Sequence, residues 1–377
     1  MAHSPDDHPW IERLAQEARI LGEARMLRDE QPLTEDLRHA VIDRLREYLA
    51  RAEKSEAWAA KSMGVASATL SQVLSGSYGA DDEKHIRAID KWTEQQILRE
   101  NAPKPAGFVK IGVAEKIYAV AKWVQKINAI GVVTGPAGTG KTITAKAIRA
   151  ETPGSIYIRV TTAGQSKLAV LQSLCVALRL TGVKMTSRQM EQRLNELLSG
   201  TNRLIIVDEA HKLVEKRKDE ALHTLRDLHD ETGCPMLWLG MNNLATYIQS
   251  GKNDFEPLDQ LNSRIKWWLN LGDFLGDSVR GGGGRGLYSI EDIRKLLAGM
   301  KIRTTADAER YLQMLANERG QGALRTVATL LQIAMAFVKD NRPIDAATLR
   351  DIGRQRLGAR LADQVDQFME IRAAKVG

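Results

Sequence analysis

The chain has 377 residues, of which 43% are hydrophobic and 27% charged, and its formal net charge is +7. This length allows two or three domains with a well-buried core, and no apolar run reaches the roughly 20 residues that a membrane span needs. The first residues, MAHSPDDHPWIERL, lack the apolar segment of a secretory signal. Two cysteines, Cys175 and Cys234, indicate neither a disulfide framework nor a metal site. We therefore expect a cytoplasmic protein without membrane contact.

The charge is unevenly distributed along the chain. Residues 1–102 contain 14 Lys and Arg against 19 Asp and Glu, whereas residues 103–377 contain 40 against 28. Because positive charge attracts nucleic-acid phosphates, the surplus indicates that any nucleic-acid surface lies in the second part. Surplus lysines are also common on ordinary solvated surfaces, so this signal is weak alone.

Residues 1–32 are polar and charged and are predicted to be an extension. Residues 33–100 follow as a predicted all-α domain that begins with an amphipathic helix, because apolar residues recur there at every fourth position. These are Leu37, Val41, Leu45 and Leu49.

A helix-turn-helix is predicted within this domain. Gly64 separates one short helix from a second, which Ser67 is expected to cap and Gly76 to end. Two short helices joined by a Gly-containing turn are typical of this motif. Its second helix would present Ser67, Thr69 and Gln72 to DNA.

Strands and helices then alternate. NAPKPAG, residues 101–107, is predicted to be a linker. Within residues 108–272 the apolar runs AIGVVT, IYIRV, LIIVD and MLWLG separate helix-like segments, which indicates a parallel sheet buried between helices. Residues 273–287 are a Gly-rich hinge, and residues 288–377 carry helical periodicity alone.

The segment GPAGTGKT matches the phosphate-binding P-loop in full, between a strand and a helix. Its glycines let backbone N–H groups wrap around phosphates, and the helix N-terminus adds a favourable partial charge. We expect Lys141 to reach the β- and γ-phosphates of ATP and Thr142 to bind Mg²⁺. The predicted nucleotide contacts are Gly135, Pro136, Ala137, Gly138, Thr139, Gly140, Lys141, Thr142 and Ile143.

An acidic pair ends the strand LIIVD. Asp208 fits the role of holding Mg²⁺, and Glu209 fits that of a general base for the attacking water. Such pairs also arise by chance, but behind a complete P-loop the functional interpretation is favoured. We interpret the nearby His211 as a structural neighbour rather than a catalyst.

Three further polar residues are candidates because of their order. Asn242, with Asn243 as second choice, follows the strand MLWLG and could orient the water near the γ-phosphate. Arg264 lies in LNSRI and Arg325 in GALR. Either arginine alone would be read as a surface charge.

The chain resembles the AAA+ ATPases in the order of its motifs, which are the P-loop, the acidic pair, the strand-tip Asn, SRI and GALR. Its N-terminal helix-turn-helix resembles that of the Mu B-like transposition regulators within this family. The resemblance covers roughly residues 33–360. It implies an α/β P-loop core with an α-helical C-terminal lid. It also implies that Arg264 is an arginine finger for a neighbouring subunit, that Arg325 contacts the γ-phosphate from the lid, and that Phe108 and Val109 cover adenine. The acidic extension and the Gly-rich insert at 281–284 depart from the pattern.

The resemblance implies a homo-oligomeric ATPase that assembles on double-stranded DNA with little sequence preference and stimulates a transposase. The candidate DNA contacts in the ATPase are Lys167, Lys184, Lys212, Lys216, Arg217 and Lys218. Two alternatives stay open: a nucleotide-regulated transcription factor that reads an operator through its helix-turn-helix, and an ATPase similar to helicase loaders. The acidic charge of the first domain favours an accessory role for the helix-turn-helix.

Overall fold

A computed structural model describes residues 32–101, 107–180, 185–215, 219–250, 256–275, 286–318, 322–337 and 342–357. The chain divides into two compact units, Met1–Pro103 and Lys104–Gly377. The predicted extension, except for its last residue, and most of the predicted linker and Gly-rich hinge lie outside the described residues.

The first unit contains four helices in its described part. They are α1 (Glu35–Arg51), α2 (Glu56–Met63), α3 (Ser67–Leu74) and α4 (Glu83–Asn101). The apolar face of α1 packs on the other three helices in one core that includes Leu45, Leu70, Ile86 and Trp92. Thr34 caps α1 and Ser55 caps α2, each by accepting a backbone N–H bond at its hydroxyl.

The turn between α2 and α3 depends on Gly64. This residue adopts φ 74°, in the left-handed region that glycine enters without steric cost. The prediction that Ser67 caps α3 is wrong, because the cap is Ala66, which makes no side-chain bond, and Ser67 is the first helical residue. Ser67 and Gln72 are exposed on α3, whereas Thr69 is half-buried.

The second unit is built on a five-stranded parallel sheet with the order β2-β3-β4-β1-β5. The strands are β1 (Ile130–Thr134), β2 (Ile156–Arg159), β3 (Ile205–Asp208), β4 (Met236–Gly240) and β5 (Ile265–Asn270). Every residue of β1, β3 and β4 is buried, as expected for strands covered on both faces. The predicted parallel sheet is therefore present.

Alternate strand residues face two separate cores. Val133, Ile206 and Leu239 join one apolar cluster, whereas Val132, Val207 and Trp238 join the other. The helices of this part are α5 (Gly112–Ile127), α6 (Lys141–Glu151), α7 (Lys167–Ala177), α8 (Ser187–Leu198), α9 (Glu220–Thr232), α10 (Asn242–Gln249) and α11 (Glu256–Arg264).

In the described residues four α-helices follow the sheet: α12 (Ile290–Met300), α13 (Ala306–Asn317), α14 (Ala323–Phe337) and α15 (Ala346–Leu357). Their apolar residues belong to the same cluster as those of α5, so this helical lid packs directly on the sheet region. The Gly112 N–H donates to Asp292 Oδ1 at 2.8 Å and ties α12 to the start of α5. In the described residues no helix combines the length and hydropathy that crossing a bilayer requires.

Candidate nucleotide-binding site

A cavity of about 670 Å³ lies where the carboxyl ends of the central strands meet the lid. Its volume is in the range that small-molecule ligands occupy. One wall is formed by the P-loop and the start of α6, a second by the ends of β2, β3 and β4, and a third by lid helices α12 and α14.

The P-loop presents free backbone donors to this cavity. Gly140 precedes α6 with φ 90° and no side chain caps the helix, whose first turn holds no acidic residue. Since the first N–H groups of a helix have no intrahelical acceptor, they suit an anion such as phosphate. Ala137 through Ile143 all line the cavity, whereas Gly135 and Pro136 do not.

Lys141 is held against the loop. Its Nζ donates to the carbonyl oxygens of Gly135 at 2.7 Å and Pro136 at 2.8 Å, and lies 3.2 Å from Thr139 Oγ1. Burial lowers the pKa of Lys141 to about 8, although Glu209 and Asp208 act against this shift. Such a poorly solvated ammonium is a favourable partner for a phosphate charge.

The acidic pair stands at the end of β3. Asp208 is buried and accepts bonds from the Glu209 N–H at 3.0 Å and the Tyr157 hydroxyl at 2.9 Å. Glu209 adopts φ 59°, which is uncommon for a residue with a side chain. Both carboxylates line the cavity. Tyr157 was missed by the sequence analysis, and its pKa is raised by burial and by the charge of Asp208.

Thr142 and Asp208 both line the cavity and offer oxygen atoms to a metal ion. The described residues contain no group of three or more His, Cys, Asp or Glu side chains suited to a metal. This donor set fits Mg²⁺, which is usually bound through one or two protein oxygens together with substrate phosphates and water.

The opposite end of the cavity is apolar. Phe108 and Val109 line it, and the ring centroid of Phe108 lies 6.3 Å from that of Tyr118 with 30° between the ring planes. Leu296, Met300 and Leu324 of the lid complete this end. A cavity with one polar and one apolar end matches the two halves of a nucleotide.

Arg325 lines the cavity from the first turn of α14, but Asn242 and Arg264 are not among its lining residues. Gly240 and Met241 line it at the end of β4 instead. The Asn242 Nδ2 lies 3.2 Å from where a Cβ on Gly272 would stand, and Pro136 is 3.7 Å from the same point. Asn242 therefore lies beside the start of the P-loop rather than in the cavity.

Arg264 ends α11, and its Nε donates to Asp230 Oδ1 at 3.2 Å. Arg159 and Lys146, which the sequence analysis did not identify, do line the cavity. Arg159 is the residue of β2 that pairs in register with Asp208, so its polar position at a strand end is the signal that was overlooked.

Two of the six candidate DNA contacts in the second unit are described. Lys167 Nζ lies 2.7 Å from Glu191 Oε1, and Lys212 Nζ lies 3.5 Å from Glu209 Oε2. Lys184, Lys216, Arg217 and Lys218 lie outside the described residues.

Residues 125–248 match the AAA domain family. This stretch of the chain is similar to AAA domains. The chain is 26% identical over 202 residues to the ATP-dependent target DNA activator B of Escherichia phage Mu, covering 54% of this chain and 63% of that protein. It is also 26% identical over 232 residues to the Mu-like prophage FluMu DNA transposition protein B of Haemophilus influenzae. This alignment covers 60% of this chain and 77% of that protein. The matched part of the chain is thus similar to these two proteins.

The alignment spans less than two thirds of the phage Mu relative. Among solved structures, Cdc6p from Pyrobaculum aerophilum is similar with a TM-score of 0.45 and 12% identity, over 64% of this chain and 65% of that chain. The α/β P-loop fold predicted from the sequence is confirmed by the AAA domain together with the parallel sheet.

Proposed function

We propose that this protein binds ATP and Mg²⁺ in the described cavity, hydrolyses ATP, and uses the ATP-bound state to hold target DNA for a transposase. The observation that carries the proposal is the convergence of Lys141, the buried Asp208 and Glu209 on one cavity that has an apolar end beside Phe108. This arrangement combines charge stabilisation with a positioned base, the two requirements of phosphoryl transfer to water.

Each residue has a separate task in this proposal. The α6 N-terminus and Lys141 hold the phosphates, and Thr142 and Asp208 hold Mg²⁺, which neutralises phosphate charge when bound. Tyr157 keeps the Asp208 carboxylate oriented through its 2.9 Å bond. Glu209 accepts the proton of the attacking water. Arg325 contacts the γ-phosphate side from the lid, and Phe108 and Val109 cover the base.

We further propose that a second copy of the chain completes the site. Arg264 does not line the cavity of its own chain. It is paired with Asp230, and its side chain is 40% exposed. An arginine in this position is available to a neighbour's cavity. Hydrolysis would then depend on assembly, and Asn242 would act from its position near the P-loop start rather than from within the cavity.

The DNA-binding part of the proposal comes from the relatives. One is named a target DNA activator and another a DNA transposition protein. We propose that lysines of the second unit, including Lys167, contact duplex DNA without sequence preference. The first unit, whose α3 has no charged residue, is proposed as an accessory module for auxiliary DNA contact or partner docking.

The test is binding of purified protein to two unrelated duplexes, with and without ATP, over a range of salt, together with electron microscopy of the complexes. We expect ATP-dependent binding that is equal for both sequences and falls steeply as salt rises. Glu209→Gln is expected to bind ATP and remain on DNA. Tight binding to one sequence without nucleotide would favour the transcription-factor alternative and contradict this proposal.

A further inference from the structure

His211 lies between two carboxylates at the edge of the cavity. Its Nε2 is 3.7 Å from Glu209 Oε2 and 4.0 Å from Glu215 Oε1. The histidine side chain is only 7% exposed, and its Nδ1 is buried without a hydrogen-bond partner in the described part of the chain. Nε2 is therefore within 4.0 Å of both carboxylates, and it shares Glu209 Oε2 with Lys212, whose Nζ is 3.5 Å from that oxygen.

The backbone around this histidine has little freedom. Glu209 precedes a short 3-10 helix, Ala210–Val214, and adopts its left-handed φ at that junction. A Cβ added to Gly240 at the end of β4 would lie 3.0 Å from the His211 backbone nitrogen and 3.3 Å from its Cβ. The 3-10 helix is thus pressed against the sheet, and the position of the His211 ring is set by packing.

A hydrogen bond continues from Glu215 to a surface loop. Glu215 Oε2 accepts a bond from Gln165 Nε2 at 2.9 Å. Gln165 lies between β2 and α7, in a segment where Thr161, Thr162 and Ser166 are exposed. A second cavity, of about 240 Å³, is lined by this loop and by Leu213 of the same 3-10 helix. Polar contacts therefore extend from an exposed loop to the edge of the nucleotide cavity.

We propose that His211 is a positioning residue for the Glu209 carboxylate, and that Gln165 and Glu215 couple its position to the loop between β2 and α7. This inference rests on the proposed function, because it takes Glu209 as the base and the Lys167 side of the molecule as the DNA-contacting side. DNA at the loop would shift Glu215 and, through His211, align Glu209 for hydrolysis. The proposal reassigns His211, which the sequence indicated to be only a structural neighbour.

The charges around the ring agree with this role. Burial lowers the pKa of His211, and Lys212 and Lys141 act in the same direction against Glu209 and Glu215. A neutral imidazole has one N–H to donate, so it can bond to one carboxylate at a time. Both present distances exceed that of a hydrogen bond, so with the ring fixed by packing a small movement of Glu215 decides which carboxylate bonds to Nε2.

The first test compares His211→Gln with His211→Asn. A glutamine nitrogen reaches the position of Nε2, whereas an asparagine nitrogen reaches only that of Nδ1. We expect His211→Asn to lower kcat for ATP by about 10- to 100-fold, as for misplaced catalytic groups, with the Kd for ATP within about twofold of wild type. His211→Gln should retain most of the turnover. Equal turnover in both variants and wild type would overturn the positioning role.

The second test addresses the loop. Glu215→Gln and Gln165→Ala should reduce the ratio of turnover with random duplex DNA to turnover without it, toward one. Glu196→Gln is the matched control, because Glu196 also accepts a bond from a glutamine amide, that of Gln192 at 3.2 Å, and lies outside the nucleotide cavity. An unchanged ratio in Glu215→Gln, or the same loss in Glu196→Gln, would overturn the coupling.

A third measurement does not depend on turnover. The chain has seven histidines, so the His211 ring resonance can be assigned by NMR of the histidine-labelled full chain. We expect this resonance to shift in Glu209→Gln and in Gln165→Ala but not in Glu196→Gln. If the wild-type protein has no ATPase activity, a shift in these variants would still support the network and contradict only the proposed function. The absence of a shift would overturn the network whatever the activity of the wild type.

Discussion

Replacing Gly138 by alanine tests how closely the P-loop and the lid fit together. Gly138 has φ 85°, and a Cβ added there would lie 1.8 Å from the carbonyl oxygen of Gly322 and 3.3 Å from the Cβ of Arg325. Because carbon and oxygen atoms do not approach within 3.0 Å without a bond, the start of α14 must move by more than an ångström. The obstacle is backbone, so no side-chain rotation relieves it.

Gly140→Ala is the matched control. Gly140 has nearly the same backbone angle, φ 90°, but the nearest atom to its added Cβ is Ile143 Cγ2 at 3.9 Å, an ordinary contact. A left-handed alanine costs about 1–2 kcal/mol of folding free energy in either variant. Overpacking adds about 1–3 kcal/mol in Gly138→Ala alone. The difference between the two variants therefore measures the contact with the lid.

The assay is urea unfolding of both variants without nucleotide, followed by titration with a non-hydrolysable ATP analogue. We expect Gly138→Ala to lose about 1–3 kcal/mol more unfolding free energy than Gly140→Ala. It should also bind the analogue more weakly, because displacement of α14 moves Arg325 away from the cavity. Equal unfolding free energies and affinities would refute the close approach of the loop and the lid.

Three further outcomes are expected. Lys141→Met should stabilise the nucleotide-free protein at pH 7 and abolish ATP binding. Since the pKa of Lys141 falls from 10.5 to about 8 on folding, the unfolded wild type holds the proton more tightly, and wild-type stability rises as the pH increases from about 8 to 10.5. Urea melts of the variant should lack this rise. Tyr157→Phe removes a donor from the buried Asp208 and should cost about 1–3 kcal/mol of unfolding free energy and raise the Mg²⁺ concentration needed for turnover; unchanged Mg²⁺ dependence would contradict the orienting role of Tyr157. Arg264→Ala should bind ATP but hydrolyse it about 10³-fold more slowly, and mixing it with Lys141→Ala should restore part of the turnover; absence of any recovery would contradict an arginine donated between subunits.

The P-loop, the acidic pair and four of the strands were predictable because their signals are local. A run such as IIVD is buried on both faces and ends in carboxylates, and the glycines of GPAGTGKT fix the loop geometry without help from distant residues. The apolar repeat of α1 likewise reports its buried face directly.

Among the elements that were not predicted, β5 and α8 escaped for opposite reasons. Strand β5 has the sequence IKWWLN and pairs with β1 alone among the described strands, so it lies at an edge and Trp267 remains 39% exposed. Its pattern of burial is therefore not that of the central strands. Helix α8 has a clear capping box at Thr186 and Gln189 and buries Met190, Leu194 and Leu198. Its start signal was present in the sequence and was overlooked.

The contact of Tyr157 with Asp208 depends on which strands are neighbours, which no local pattern reveals. In the register of β2 and β3, Tyr157 is opposite Ile206 and Arg159 is opposite Asp208. Tyr157 and Asp208 are thus diagonal neighbours on one face, a spacing that a long aromatic side chain can bridge. Since 45 residues separate the two strands and the strand order in the sheet, β2-β3-β4-β1-β5, differs from the order along the chain, the sequence predicts two strand ends but not their adjacency. Asp208, the acid proposed to hold Mg²⁺, could be found from its own position in the sequence. The Tyr157 hydroxyl that bonds to it could only be found from the assembled sheet.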